Sequence, residues 1–362
     1  MSEMTSRQRL LAAVRGEDVD RLPWSPFLAY WWEHQSPEMQ ARGQFAFVRE
    51  LGGDFLARGF VTPFKAVLPP DCEVRVDQKN GYTRTTHITP VGTLSTLQIY
   101  SPDGNTHFVI EHPLKTVDDF KILSYYFERL RFEPNYQPVQ EGIQQVGEDG
   151  LCAPLIAAFG KSPFQSLLEH YAGTEELNYF LVDCPAEVEA LLEVMSLRSM
   201  EAVRISVESP AEVFITWEDS STTNVSPRQF KRYIASEMDR WGQVVHASGK
   251  YLLHHACGHL RALLPTMALE EIDMVESLPP PPTGDVEIWE AQPLLGKVGV
   301  IGGIEPVRFL QLNLEELSAY VEELLARVNP HRYILANSDS CPPGVSLAKF
   351  HRVTELVRAH KM

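Results

Sequence analysis

The stretch His255-Ala256-Cys257-Gly258 ends the apolar run Tyr251-Leu252-Leu253. Residues two apart on a strand point to the same side, so the His255 imidazole and the Cys257 thiol face one small volume. Imidazole nitrogen and thiolate sulfur are ligands that zinc favours. A third soft ligand, Cys341, follows another apolar run, Tyr333-Ile334-Leu335-Ala336, within Ser338-Asp339-Ser340-Cys341-Pro342-Pro343-Gly344. Two strands that each end in metal-ligand chemistry point to a site at the rim of a parallel barrel. A His-x-Cys pair alone also describes a buried cysteine packed as a small hydrophobe beside a core histidine. The elements around it decide between the two.

Those elements read as alternating strands and helices. Thr5-Ser6-Arg7-Gln8 is a capping box, followed by the stripe Leu10, Leu11, Val14 and a stop at Gly16. Residues 24–29 read as a first strand that ends in Tyr30-Trp31-Trp32; 45–51 reads as a helix and 54–57 as a second strand. Apolar runs at 151–158, 213–217, 251–255, 274–275, 298–301 and 333–336 supply the rest, with helices between them. Eight strands alternating with helices predict an α/β fold, a parallel sheet closed into a single (β/α)8 TIM-type barrel. No Gly-rich phosphate loop follows an early strand, which weighs against an open dinucleotide-binding sheet. From about 60 to 149 helical periodicity fades. β-like runs such as Gly81-Tyr82-Thr83-Arg84-Thr85-Thr86-His87-Ile88 take over, with a turn at Ser101-Pro102-Asp103-Gly104. The expectation is one barrel domain over 1–362, with 60–149 inserted as a β-rich cap over its C-terminal mouth.

The chain has 362 residues, 44% hydrophobic and 22% charged, an ordinary globular composition. A net charge of -16 argues against a general nucleic-acid binder, which needs a basic face. Its cysteines, Cys72, Cys152, Cys184, Cys257 and Cys341, are odd in number and widely spaced, so a disulfide framework is not implied and a cytoplasmic location is expected. Met1-Ser2-Glu3-Met4-Thr5 lacks a signal peptide's apolar core, and no run approaches the roughly 20 residues of a membrane span.

Barrel chemistry sits at the C-terminal ends of the strands. His255, Cys257 and Cys341 fall there, and so do Glu218 and Asp219 after the fourth strand. Glu218 reads either as a fourth ligand or proton acceptor, or as a surface carboxylate at a strand end. Asp219 reads as a turn or capping residue beside the ligands. His254 alternates with His255 and is expected to face the helix layer in a structural role. His259 either steadies a ligand or is a satisfied loop histidine. Ser277, in Glu276-Ser277-Leu278 before the proline run 279–282, belongs either to a rigid loop that lines the mouth and meets substrate or to a plain connection. Tyr30, Trp31 and Trp32 are either core or an aromatic substrate wall at the rim.

The chain resembles the uroporphyrinogen decarboxylase superfamily over nearly its whole length. The matching pieces are Met4-Thr5-Ser6-Arg7-Gln8-Arg9-Leu10 with Asp20-Arg21-Leu22-Pro23, Thr89-Pro90-Val91-Gly92-Thr93-Leu94, Glu111-His112-Pro113-Leu114-Lys115, Val225-Ser226-Pro227 with Phe230, and Gly302-Gly303-Ile304-Glu305-Pro306. The resemblance implies a single (β/α)8 barrel. Decarboxylases of the family carry Arg-Gln-Ala-Gly-Arg after the first strand and a Ser-Asp-Ile-Leu segment with an essential aspartate. Here those regions read Leu28-Ala29-Tyr30-Trp31-Trp32-Glu33-His34 and Phe55-Leu56-Ala57-Arg58-Gly59-Phe60-Val61. The other branch, which includes methylcobalamin:coenzyme M methyltransferase and the methyltransferases of O-demethylase systems, carries His-x-Cys-Gly and a distant Cys. His255, Cys257 and Cys341 match that pattern, with His259 where relatives often have Asp or Asn.

The resemblance therefore implies zinc on His255, Cys257 and Cys341. It implies methyl transfer between a small donor or acceptor and a corrinoid cofactor on a partner protein. With Tyr30, Trp31 and Trp32 at the rim, the expected substrate is a methoxy-aromatic compound, and the expected assembly is a homodimer. Two alternatives stay open: a divergent, metal-free uroporphyrinogen decarboxylase acting on tetrapyrroles, and a non-catalytic corrinoid- or tetrapyrrole-binding protein on the same barrel.

Overall fold

The structure, a computed structural model, describes residues 3–102 and 106–361. Met1, Ser2 and part of the expected turn, Asp103 and Gly104, lie outside the described residues. The chain divides into two units: 1–62, 136–155 and 209–362 form one, and 63–135 with 156–208 form the other. Compared with the expected 60–149 segment, 136–155 falls in the first unit and 156–208 in the second.

In the first unit, Val213–Trp217, Tyr251–Ala256, Met274–Ser277, Gly299–Ile304 and Tyr333–Asn337 pair side by side as five parallel strands. Phe55–Arg58 and Gly150–Ala153 form a second parallel ladder. Single bridges carry the pattern onward, Leu155 beside Ile215 and Trp24 beside Leu335. The Asp54 N–H donates to the Trp24 carbonyl at 2.7 Å. These links follow the strand order of a (β/α)8 barrel, though two of them are isolated bridges and the one between Trp24 and Asp54 is a hydrogen bond outside any ladder. The first position is the one that departs from expectation. The pairing there is one bridge centred on Trp24, with Leu335 N–H donating to the Pro23 carbonyl at 2.9 Å and Ser25 N–H to the Leu335 carbonyl at 2.8 Å; Pro26, with no N–H, cannot carry it further. The chain then turns, and Ala29–Glu33 is a short helix rather than the end of a strand.

Alternation decides what fills the middle. Leu56, Leu151, Ala153, Val213, Ile215, Leu253, Met274, Ile301, Ile334 and Ala336 form one buried cluster. Leu10, Leu11 and Val14 of the helix Ser6–Arg15 join it. That helix starts with the expected capping box, Thr5 with Gln8, and stops at Gly16, whose φ of 72° suits glycine. It packs against the beginnings of the strands: Arg7 pairs with Glu212, and the Arg15 guanidinium lies 5.8 Å from the Tyr251 ring centroid. Arg9 clamps it in place, 2.6 Å from Asp20 and 2.6 Å from the fully buried Asp54, which Arg21 also meets at 2.7 Å. The strand starts are therefore plugged, and the strand ends are left for chemistry.

The second unit carries the expected β-rich stretch as a four-stranded antiparallel sheet, Glu73–Lys79, Tyr82–Thr89, Gly92–Ser101 and Thr106–Glu111. It also holds the helices Asp119–Arg129 and Pro185–Val207. The first of these buries Phe120, Leu123, Tyr126 and Phe127, a helical spacing inside the segment that reads as β-like overall. Among the described residues, no helix is long and apolar enough to cross a membrane.

Candidate metal centre

Neighbouring strand ends build the site, and the period of two selects a residue from each. Leu56, Ile215, Leu253 and Met274 belong to the buried cluster. The residues two further on, Arg58, Trp217, His255 and Glu276, point the same way at the C-terminal ends of their strands. In register, His255 stands opposite both Trp217 and Glu276. Past the strand ends, Asp219 and Cys257 continue the alternation.

The donor atoms of Asp219, His255 and Cys257 lie within 4.8 Å of one another. His255 Nε2 is 3.3 Å from Asp219 Oδ1, and Cys257 Sγ donates to the same oxygen at 3.6 Å. On the far side of the ring, His255 Nδ1 donates to Glu276 Oε2. Trp217 meets the imidazole edge-on, centroids 4.8 Å apart, and Phe27 stacks on Trp217 at 5.8 Å. Both aromatic rings belong to half-buried residues.

Two turns hold the donors. Asp219 has φ 47°, a left-handed conformation that Asp tolerates better than most residues. Gly258 has φ 87°, and a Cβ there would stand 2.7 Å from Ser221 Oγ. His259 N donates to Ser221 Oγ at 3.0 Å, and Thr222 N to the His259 carbonyl at 2.9 Å. The glycine after Cys257 thus lets the two turns lie against each other.

Burial alone would make His255 hard to protonate. The Glu276 charge and hydrogen bonds to Asp219, Cys257 and Glu276 outweigh it, so the imidazole titrates well above its usual range. Burial is the main influence on the Cys257 thiol and pushes it up to about 11; Asp219 and Asp339 add to the rise, while His255 opposes it. With Nδ1 engaged by Glu276, His255 has Nε2 left for a metal. One nitrogen, one sulfur and one carboxylate oxygen could hold a metal ion, and they are donor types that zinc takes.

The sequence-predicted residues are distributed unevenly. His255 and Cys257 come together as expected. The third donor beside them is Asp219, expected as a turn or capping residue beside the ligands rather than as a ligand itself. Cys341 is outside that group: its N–H donates to the Phe27 carbonyl at 3.1 Å, its carbonyl accepts from Trp31 N at 2.9 Å, and its thiol lies against the Pro342 carbonyl at 3.8 Å. Burial pushes that thiol's pKa up. Glu218, one residue off the inward alternation, is buried and is not among the three donors. Trp31 and Trp32 are buried and packed among aromatic rings. On their short helix they lie 5.2 and 5.8 Å from Phe47, and Trp31 is also 4.8 Å from Phe350 and donates Nε1 to the Val345 carbonyl at 2.6 Å. Tyr30 on the same turn is exposed. His259 is exposed and engages its neighbours through its backbone. Ser277 is buried with φ 84°, its Oγ without a hydrogen-bond partner among the described residues. His254 is structural as expected, 2.9 Å from Glu270 and stacked on Phe230. Arg58, Glu276, Phe27 and Trp217 escaped the sequence reading as site residues. For Arg58, Trp217 and Glu276 the signal was present, a polar or aromatic residue two positions beyond an inward apolar one.

A sequence model described as uroporphyrinogen decarboxylase (URO-D) matches residues 91–360. No curated protein matches the chain. Among solved structures, a methyltransferase from Methanosarcina mazei is similar at 17% identity and a TM-score of 0.62, over 98% of this chain and 99% of that one. A B12-independent methionine synthase from Shewanella sp. W3-18-1, in complex with selenomethionine, is similar at 13% identity and a TM-score of 0.48, over 94% and 96% of the two chains. Only the first is close enough to bear on the fold.

Proposed function

The chain belongs to the uroporphyrinogen decarboxylase family, and from that membership we propose that it is a zinc-dependent methyltransferase, moving a methyl group between a small substrate and a corrinoid on a partner protein. The observation that carries the reading is the convergence of Asp219, His255 and Cys257 at the strand ends. Their nitrogen, sulfur and oxygen donors fit zinc better than calcium or magnesium, which take oxygen ligands. A zinc ion held there would supply Lewis-acid activation of the substrate atom that gives or receives the methyl group.

The chain's own residues have separable tasks. Glu276 accepts a hydrogen bond from His255 Nδ1 and so commits Nε2 to the donor group. Asp219 faces both Nε2 and the Cys257 sulfur, where it balances positive charge. Phe27 and Trp217 form an apolar wall beside His255. That pair, rather than Trp31 and Trp32, is where an aromatic ring would stack, with about 0.5–1.5 kcal/mol beyond area burial. Cys341 serves by holding through its backbone the 27–31 segment that presents Phe27.

Turnover is the test. Purified protein is mixed with cob(I)alamin and, in turn, methoxyarenes, methylamines and methylthiols, and methylcobalamin is followed by absorbance. Methylation from a methoxyarene is expected. No methylation from any donor contradicts the proposal, and methylation from small aliphatic donors alone contradicts the aromatic substrate.

A further inference from the structure

We infer that Arg58 is a positioning residue for the metal centre: acting through Glu276, it fixes how His255 presents Nε2 and thereby sets zinc affinity. The inference rests on the zinc reading above.

Arg58 ends its strand, and its side chain is only 1% exposed. The Glu276 side chain beside it is fully buried, and Arg58 Nε lies 3.0 Å from Glu276 Oε1. The N–H does not aim along that line, and among the described residues neither atom has a hydrogen-bond partner, so the contact is one of charge and position. The guanidinium is tied down from another side: Nη2 donates to the Ser25 carbonyl at 3.1 Å, and its carbon lies 5.1 Å from the Phe27 ring centroid. It is therefore a fixed charge.

Stability is a poor reason for such a pair, because apolar residues of similar volume often replace buried ion pairs without loss. What the pair does have is a third member. Glu276 turns Oε1 to Arg58 and accepts from His255 Nδ1 with Oε2. Anchoring one carboxylate oxygen gives the other a single position, and that position sets the rotation of the imidazole. A ring turned to offer Nε2 to Glu276 would give up the 3.3 Å approach of Nε2 to Asp219. The line Arg58–Glu276–His255 thus ends at the atom that meets the metal.

The test measures zinc affinity by competition with a chromophoric chelator, alongside melting temperature and near-ultraviolet circular dichroism. Arg58→Met is expected to weaken zinc binding about 10–100-fold, the usual effect of removing a group that orients a metal ligand. Arg58→Lys, which keeps charge but not shape, should lose less. Because Arg58 acts through the carboxylate, the double variant Arg58→Met/Glu276→Gln should bind zinc no more weakly than Glu276→Gln alone. A folded Arg58→Met with wild-type zinc affinity overturns the inference, as do losses that multiply in the double variant. If Arg58→Met does not fold, Arg58→Lys decides: weakened zinc binding supports the inference and unchanged binding overturns it. A wild-type chain that binds no zinc is a separate result, and it removes the zinc reading as well.

Discussion

Glu276 and His255 stand opposite each other on neighbouring parallel strands, and the imidazole Nδ1 donates to the carboxylate. The contact leaves the histidine one direction for its other nitrogen, toward Asp219 and Cys257. Asp219→Ala should therefore lower zinc affinity at least about tenfold, and Cys341→Ser, whose thiol is outside the donor group, should lower it less. Chelator competition on the two variants checks the order. A larger loss in Cys341→Ser would restore the ligand set that the His-x-Cys-Gly pattern implies.

The pH dependence of zinc binding has a definite sign. His255 holds its proton well above the usual range, and the Cys257 thiol holds its own up to about 11. At neutral pH protons must leave Nε2 and Sγ for zinc to bind, so affinity should fall with falling pH, by up to about tenfold per pH unit for each proton released. Titrations at pH 6, 7 and 8 in buffers of different ionisation enthalpy would count the protons. An affinity flat across that range would contradict these assignments.

Trp217→Ala should raise KM for an aromatic substrate by about fivefold, corresponding to roughly 1 kcal/mol of stacking, and should leave zinc content unchanged. Steady-state kinetics with parallel metal analysis separates the two. A variant with unaltered KM would place the substrate away from the Phe27–Trp217 pair.

Much of the site was legible in the sequence because strand alternation is local. His255 and Cys257 were paired by spacing alone, and His254 was assigned to the other side by the same rule. The rule also reaches Glu276 from Met274 and Arg58 from Leu56, but choosing those charges requires knowing which apolar residues face inward. The same alternation, carried from Ile215 and Trp217 past the strand end, reaches Asp219 rather than Glu218; a strand rule does not by itself extend into the left-handed turn at Asp219, which is why the sequence reading favours the neighbouring carboxylate. Trp31 and Trp32 sit on a short helix rather than at a strand end because Pro26 stops the pairing and the chain takes a left-handed turn at Ala29, φ 32°, a backbone effect that outweighs the apolar run around it. The position of Cys341 depends on how its loop docks on the 27–31 segment, a long-range contact with no local signature.

The plugged end of the barrel supplies a stability prediction. Arg9 meets both Asp20 and the fully buried Asp54. Arg9→Ala should cost about 3–5 kcal/mol, the usual penalty for stranding a buried charge, less whatever Arg21 recovers. For Asp20, burial opposes ionisation, but the Arg9 and Met4 hydrogen bonds and the nearby charges prevail and hold it down to about 2. With its folded value below the ordinary 3.8, its contribution is present above that pH and is lost as pH falls toward 2. Urea unfolding of Asp20→Asn should show less acid sensitivity between those values; an unchanged acid limb would contradict this.

The most direct measurement is the zinc content of the purified chain and of Cys257→Ser, by mass spectrometry of the metal after dialysis against a weak chelator. The expected result is one zinc per wild-type chain and a loss of most of it in the folded variant. A wild-type chain without zinc, or a Cys257→Ser chain that keeps a full equivalent, would contradict the metal centre and with it the proposed methyl transfer.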